Sequence, residues 1–279
     1  MADQVISTVE TTAIIPEKWS SRYYDVLLAE LPFNSLVTRD YEGEITDLGD
    51  LVNIPSVPEF DDAVILPEAT RSDADALTIS NQQLVINRRI VKDFIITKRA
   101  QLQSLPFVDK LQEMAVYAIN KRIQAEIIDL IIPSASAPDH TIAFDSGTTY
   151  ALADMLEGKE LLDNQDVPAS DRHQVMGSAQ WNDIFAITGF TSSDFLLQGG
   201  PLQTGQLPPA LLGFTPHMTT LVSNIVYQFH RSFMTMAAQQ ALNIEVFNLG
   251  VDGHRATRVN CDVLIGIQQL DDERVVQIG

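Results

Sequence analysis

One uninterrupted run constrains this chain more than any other feature. Between Pro106 and Pro133 it reads FVDKLQEMAVYAINKRIQAEIIDLII, with neither Gly nor Pro. Apolar or small residues recur at Leu111, Met114, Ala115, Ala118, Ile119, Ile123, Ile127, Leu130 and Ile131, in steps of three and four, which is the helical period. Ser104 stands before the run as an N-cap, and Pro106 falls in the first turn, where its missing N–H costs little. Pro133, followed by Ser-Ala-Ser-Ala-Pro, closes it. At 1.5 Å per residue the predicted helix spans about 40 Å, far beyond the average globular helix. Asp109, Lys110, Glu113, Lys121, Arg122, Glu126 and Asp129 interrupt its apolar face and exclude a membrane span. Such a helix is either a long core helix or a spine across which one extended subunit is built.

The 279 residues suffice for one large or two moderate domains with a true core. A single cysteine, Cys261, leaves no internal disulfide framework and fits a reducing compartment. The opening MADQVISTVETTAIIPEKW is polar and mixed rather than basic then apolar, so secretion by a signal peptide is not expected. No stretch approaches 18 consecutive apolar residues, and no transmembrane helix is expected. The formal charge of −19 argues against direct wrapping of nucleic acid, which needs basic patches to displace counterions. An acidic protein can still enclose nucleic acid that it repels; solubility alone also accounts for the charge.

The chain changes character along its length. Residues 1–45 read as an extended arm leading into a short helix opened by Pro16 and closed at Pro32, with an apolar stripe of Tyr23, Val26, Leu27 and Leu31 that needs a cover. Residues 46–86 alternate in short bursts punctuated by Pro55, Pro58 and Pro67. Their acids, among them Asp61, Asp62, Glu68, Asp73 and Asp75, are opposed only by Arg71. This pattern predicts a long, irregular β-hairpin, which in isolation is marginal in water and is therefore expected to project and be ordered by docking. Residues 84–100, LVINRRIVKDFIITKRA, are strand-like and the most basic part of the chain, with Arg88, Arg89, Lys92, Lys98 and Arg99. Charge complementarity between the hairpin acids of one copy and Arg88, Arg89 and Lys92 of another would fix register between copies; pairing within one copy is equally allowed. After the long helix come a short linker at 133–138, a strand at 141–144 and a helix over 150–164. A buried strand follows at 174–177, then a helix over 178–188 with Trp181 and Phe185 inside, and a loop region at 190–209. Strand-like segments at 211–218, 242–247, 256–267 and 273–278 complete an α+β pattern.

Chemistry is hard to find. His140, His173, His217, His230 and His254 are scattered, with no zinc-ligand spacing. Gly158-Lys159-Glu160 lacks the upstream Gly and the Ser/Thr of a phosphate loop, and neither G-x-G-x-x-G nor G-x-S-x-G occurs. Asp271-Asp272-Glu273 reads as a turn or solvated strand start, no EF-hand spacing surrounds Asp61-Asp62, and Cys261 reads as a buried structural thiol. No catalytic, metal or cofactor residues are assigned.

The order arm, acidic hairpin, basic strand, long helix, loop-rich α+β region and terminal strand resembles the major capsid proteins of tailed bacteriophages. Local stretches are similar too. Arg172-His173-Gln174-Val175-Met176-Gly177-Ser178 followed by Trp181 resembles the strand-then-helix opening of that family's A-domain. Leu211 to Met218, LLGFTPHM, resembles its G-F-x-P segment, with Met218 where Ser or Asn is usual. His230-Arg231-Ser232-Phe233-Met234 followed by Ala237-Ala238-Gln239-Gln240 resembles the family's Ala-rich helix. Asp252-Gly253-His254-Arg255 through Val263-Leu264-Ile265-Gly266 resembles its closing strands. The resemblance implies an α+β, HK97-like capsid fold. It divides the chain into an N-terminal arm at 1–45, an E-loop hairpin at 46–86, a P-domain strand and spine helix at 87–139, an A-domain at 140–260, and C-terminal strands at 261–279 that return to the P-domain.

That resemblance further implies a non-enzymatic subunit that self-assembles as hexamers and pentamers into an icosahedral phage head. Such a head encloses DNA without sequence-specific binding, is joined by scaffold, portal or decoration proteins, carries no membrane, and is made in the bacterial host cytoplasm before residing in the virion. Three alternatives stay open: an encapsulin-like nanocompartment shell, a non-shell virion adaptor, and an enzyme with a scattered acidic site. Lys92 and Lys98 have no identified crosslinking partner, and no coiled-coil scaffolding segment is evident.

Overall fold

The computed structural model describes residues 28–42, 51–58, 60, 63, 65, 71, 78–97, 108–145, 147–187, 207–249 and 256–279. Residues 1–27 of the expected arm, the N-cap at Ser104 and the turn at 250–253 lie outside them; residues 28–31, expected to end the helix opened at Pro16, are described and not helical. Four helices are described: α1 (Phe33–Leu36), α2 (Val108–Asp129), α3 (Leu152–Asn164) and α4 (Ser178–Ala186). Nine strands accompany them: β1 (Leu51–Ser56), β2 (Ser80–Thr97), β3 (Thr141–Ile142), β4 (Arg172–Met176), β5 (Thr215–Met218), β6 (Val226–His230), β7 (Met234–Leu249), β8 (Ala256–Gln269) and β9 (Val275–Ile278). They form a four-stranded sheet ordered β1-β2-β8-β7 and a five-stranded sheet ordered β3-β9-β6-β4-β5.

Helix α2 is the predicted spine. Its 22 helical residues make a rod of about 33 Å at 1.5 Å per residue. Ala115, Ile119, Ile123 and Ile127 are buried at intervals of four, and Ile131 continues the line beyond the last turn. The stripe packs into one core with Val259, Cys261, Val263, Ile265 and Ile267 of β8, and with Val175, Tyr227, Phe229 and Val275 of the five-stranded sheet. One narrow helical face thus joins both sheets. Each isoleucine sealed there contributes about 2 kcal/mol.

The segment 28–42 straps across this core. Phe33, Leu36 and Val37 are buried in it, and Phe33 stacks on Phe229 at 5.6 Å between ring centroids. Its backbone is tied on both sides: Ala29 N–H donates to the Tyr117 hydroxyl at 2.9 Å, Thr38 N–H to the Met234 carbonyl at 3.1 Å, and Met236 N–H to the Thr38 carbonyl at 2.9 Å.

The five-stranded sheet alternates its faces along the pleat, as half-buried strands must. Met176, Val226, Val276 and Ile278 point away from α2 into a second core with Met155, Leu161 and Leu162 of α3 and Ile184 of α4. On this face Gln174 and Gln228, opposite each other on β4 and β6, both donate from Nε2 to the buried Tyr150 hydroxyl, at 2.6 and 3.0 Å. Burial pushes the Tyr150 phenol well above its ordinary range and keeps it protonated. Helix α3 starts where it does because buried Asp154 accepts from Ala151 N–H at 2.8 Å and from Asp145 N–H at 3.1 Å, an N-terminal capping arrangement. Leu211–Phe214 is a tight two-bonded turn, with Gly213 at φ +90°, a conformation that costs glycine nothing.

Two expectations are corrected. The Ala237-Ala238-Gln239-Gln240 stretch is strand, not helix. Met234, Met236 and Ala237 are buried along β7, and pairing with β8 overrides the helical propensity of alanine. In α4 the fully buried residues are Gln180 and Ile184, while Trp181 and Phe185 are half-buried, because the helix turns a narrower face to the sheet. Both C-terminal strands reach the spine core, β8 through Val263, Ile265 and Ile267 and β9 through Val275. Strand β9 sits inside the five-stranded sheet, antiparallel to β6 and parallel to β3, where Val275, Val276 and Ile278 are sealed on both faces.

The hairpin itself is present in its described part: β1 pairs antiparallel with the start of β2, from Leu51 opposite Val85 to Ser56 opposite Ser80. Strand β2 then continues without a break into the four-stranded sheet. A bulge between Ile86 and Arg88 switches its faces. Before it, Leu84 and Ile86 pack with Ile54, Ala237 and Leu264 on the side away from α2; after it, Ile90 and Phe94 pack toward α2. Gly266 faces this bulge, and a Cβ there would lie 2.7 Å from the Val85 carbonyl oxygen, a backbone atom that cannot step aside. The variant Gly266→Ala is therefore expected to lose about 1–3 kcal/mol of unfolding free energy through overpacking, read from the chemical-denaturation midpoint.

Candidate assembly surfaces

The basic stripe of β2 is divided by the sheet between two faces. Arg88 lies on the α2 side, where its Nε stands 3.3 Å from Glu126 Oε2 of the spine helix. Glu126 is also held by Arg122, one helical turn earlier. Arg89 lies on the opposite side and reaches Asp262 Oδ2 of β8 with Nε at 3.1 Å and Nη2 at 2.8 Å. Asp262 is only 4% exposed, so this pair neutralises a carboxylate that the sheet would otherwise bury alone. Further along, Arg258 of β8 pairs with Asp93 of β2 across the same face. Lys92 is exposed and has no ion pair among the described residues.

Of the eight residues singled out from sequence for contact between copies, Asp61, Asp62, Glu68, Asp73 and Asp75 lie outside the described residues. Two of the three cations meant to receive them are engaged within the chain by Glu126 and Asp262. The structure brings Arg88, Arg89 and Lys92 onto one strand but points the two arginines to different faces. Sequence spacing alone does not show this, because the bulge shifts the parity of every residue after it.

The surface that sequence reading passed over is apolar. On the side of the four-stranded sheet away from α2, Val91 and Ile95 of β2 and Phe247 of β7 stand 43%, 60% and 45% exposed. On the spine side, Ile244 and Val246 of β7 are also exposed. Around the hairpin, Leu51, Val57, Phe60, Ile65 and Ile79 are uncovered. Large apolar side chains gathered on both faces of one end of a sheet, and along the hairpin that extends it, mark a surface that another molecule covers. The signal was in the sequence: FIIT and IEVF place apolar residues at consecutive positions, on both faces of a strand, where a single covered face would alternate.

The described residues gather no cluster of three or more His, Cys, Asp or Glu side chains able to hold a metal. Cys261 is buried in β8, and burial pushes its thiol up, away from the reactive thiolate. Asp271 closes a turn, accepting from Glu273 N–H at 3.0 Å and from Arg274 Nε at 2.8 Å. Among the described residues no helix is long and apolar enough to cross a membrane. The arrangement buries charges in pairs and leaves apolar surface open, which suits association rather than catalysis.

Residues 100–279 match a family model described as phage capsid protein. No curated protein matches in sequence at a significant level. Solved structures do match in shape. One from Mycobacterium phage Che8 has a TM-score of 0.77 at 20% identity, covering 95% of this chain and 97% of that one. The capsid of cyanophage P-SCSP1u has 0.78 at 11%, covering 100% and 96%, and that of cyanophage Pam1 has 0.72 at 14%, covering 100% and 98%.

Arg88 and Lys92 separate by stability. Arg88→Ala strips a half-buried Glu126 of one partner and is expected to cost about 1–3 kcal/mol. Lys92→Ala is expected to stay within about 0.5 kcal/mol of the parent. Parallel urea titrations with both variants measure the difference.

Proposed function

Because the chain belongs to the phage capsid protein family, we propose that its copies close into a head through the exposed apolar end of the four-stranded sheet and the hairpin that extends it. The protein is a structural major capsid protein with the α+β, HK97-like fold of tailed-phage shells, and its role is containment rather than turnover. Its place is the virion, and its principal partner is itself. The encapsulin-like, adaptor and enzyme readings are not favoured, since the family and the matching structures are those of phage capsids.

The finer reading rests on one observation: Val91, Ile95 and Phe247 on the sheet, with Val57, Phe60 and Ile65 on the hairpin, are uncovered in the single chain. An isolated hairpin cannot stabilise itself, whereas a neighbour that covers it adds binding free energy to folding. Repeated contact between two different patches gives rings and, when it closes, shells of hexamers and pentamers. The hairpin acids Asp61, Asp62, Glu68, Asp73 and Asp75 then meet cations of the next copy. Lys92 is the described member of the stripe left open for them. The −19 charge keeps the wall from gripping packaged DNA, which is enclosed without sequence recognition. Scaffold, portal or decoration proteins join the head, and subunits are made in the host cytoplasm before assembly.

Two variants test the reading by sedimentation velocity and negative-stain microscopy. Deletion of 61–75 is expected to leave a folded, soluble monomer by circular dichroism and to abolish shells and rings; loss of fold would assign the hairpin to the core instead. The pair Ile95→Asp and Phe247→Asp is expected to cost about 1 kcal/mol or less per site in the monomer while blocking assembly. Shells formed at parental yield by that pair would show that this face is not buried between subunits.

A further inference from the structure

Strands β4 and β5 run parallel at the edge of the five-stranded sheet, with Val175 opposite His217 and His173 opposite Thr215. His173 and His217 therefore share one face, their ring centroids 5.5 Å apart. Nδ1 of His173 and Nε2 of His217 are both buried without a hydrogen-bond partner. No third ligand joins them, so the pair is not a metal set among the described residues. The strap runs beside this spot. Glu30 lines a groove of about 410 Å³ with His217, Trp181 and Pro208, and its carbonyl accepts from the Thr219 hydroxyl at 2.8 Å. Phe33 stacks on Phe229, whose ring lies 6.0 Å from that of His173.

We propose that His173 and His217 form an acid-sensitive latch for the strap: neutral, they let residues 28–33 close over the β4–β5 edge, and protonated, they drive that segment off the spine helix. Two adjacent imidazolium rings repel each other, and each needs a hydrogen-bond partner that its buried nitrogen lacks. Near this spot the strap is pinned by Ala29 to Tyr117 and by Glu30 to Thr219, and Phe33 is its buried anchor.

The surrounding charges are mixed, and burial sets the direction. Burial first, and then His217, hold His173 down at about 4, with Arg231 and His230 adding to the depression and Asp171 opposing it. Burial lowers His217, with Glu30 opposing. His230, beside Arg274, Arg172 and Asp171, is lowered by burial as well. From the α2 side, Gln124 hydrogen-bonds Thr219 and brings no charge. The folded values lie below the ordinary 6.5, so the open state binds more protons. Closure is fully favoured above that value and is lost as pH falls from it toward 4.

Backbone hydrogen exchange of the full-length protein, read by mass spectrometry over residues 28–38 and corrected for intrinsic rates, tests the latch at pH 7.5 and 5.0. Protection of the strap is expected to fall at least about tenfold, the factor of one pKa unit, while α3 keeps its own. In the His173→Gln/His217→Gln variant the strap is expected to hold its protection at both pH values. Unchanged protection in the parent, or an equal fall in the variant, would overturn the proposal. Should the variant not fold, ring-proton NMR titration of the parent decides it: His173 and His217 titrating at ordinary values would sink the latch, and depressed titration in step with strap exchange would support it.

Discussion

The stripe Ala115, Ile119, Ile123, Ile127 of the spine helix is the contact on which the rest depends. It meets the long sheet through Val259, Cys261 and Val263, the short sheet through Val175, Tyr227 and Phe229, and the strap through Phe33 and Val37. A narrow, β-branched stripe is stiff and packs at a defined depth, so it fixes how the layers sit together. The polar residues between the stripes then serve the remaining surfaces, as Glu126 does in receiving Arg88 and Arg122.

Charge is handled differently from apolar surface in this molecule. The buried or half-buried charges close into pairs inside the chain: Arg89 with Asp262, Arg88 with Glu126, Arg172 with Asp163. Exposed apolar side chains are left open at one end of the four-stranded sheet and along its hairpin. A monomer optimised for itself would cover the second set. A shell subunit is completed by its neighbours, and in the proposed assembly the same uncovered residues would become buried area.

The bulge before Arg88 reconciles two demands on one strand. Strand β2 packs Leu84 and Ile86 on one side near the hairpin, and Ile90 and Phe94 on the other beside the spine. One extra residue changes the parity, and Gly266 leaves room for the close approach that results. The polar core behind the short sheet is built with equal economy, Tyr150 holding Gln174 and Gln228 together where three unpartnered groups would each be costly.

Much of the architecture was written in local pattern. The spine helix, the hairpin strands, α3, β4 and β8 follow from periodicity and from Gly and Pro punctuation, because spacing of 3.6 or 2 residues records which face is covered. The order of these segments was enough to point to tailed-phage capsids. Pattern failed where long-range pairing decides the outcome. Ala237–Gln240 has a helical composition yet becomes strand because β8 offers it a ladder, and β9 enters the short sheet because only there are both its faces sealed. The contact surface was partly legible: the sequence displayed the charges of Arg88 and Arg89 and the two-faced apolar runs, but not which of them the fold would use internally. Local period determined what most described segments became; tertiary packing alone decided which charges were paired inside and which apolar faces were left uncovered, since that depends on distant residues meeting across the sheet, as Arg89 meets Asp262 from 173 positions away.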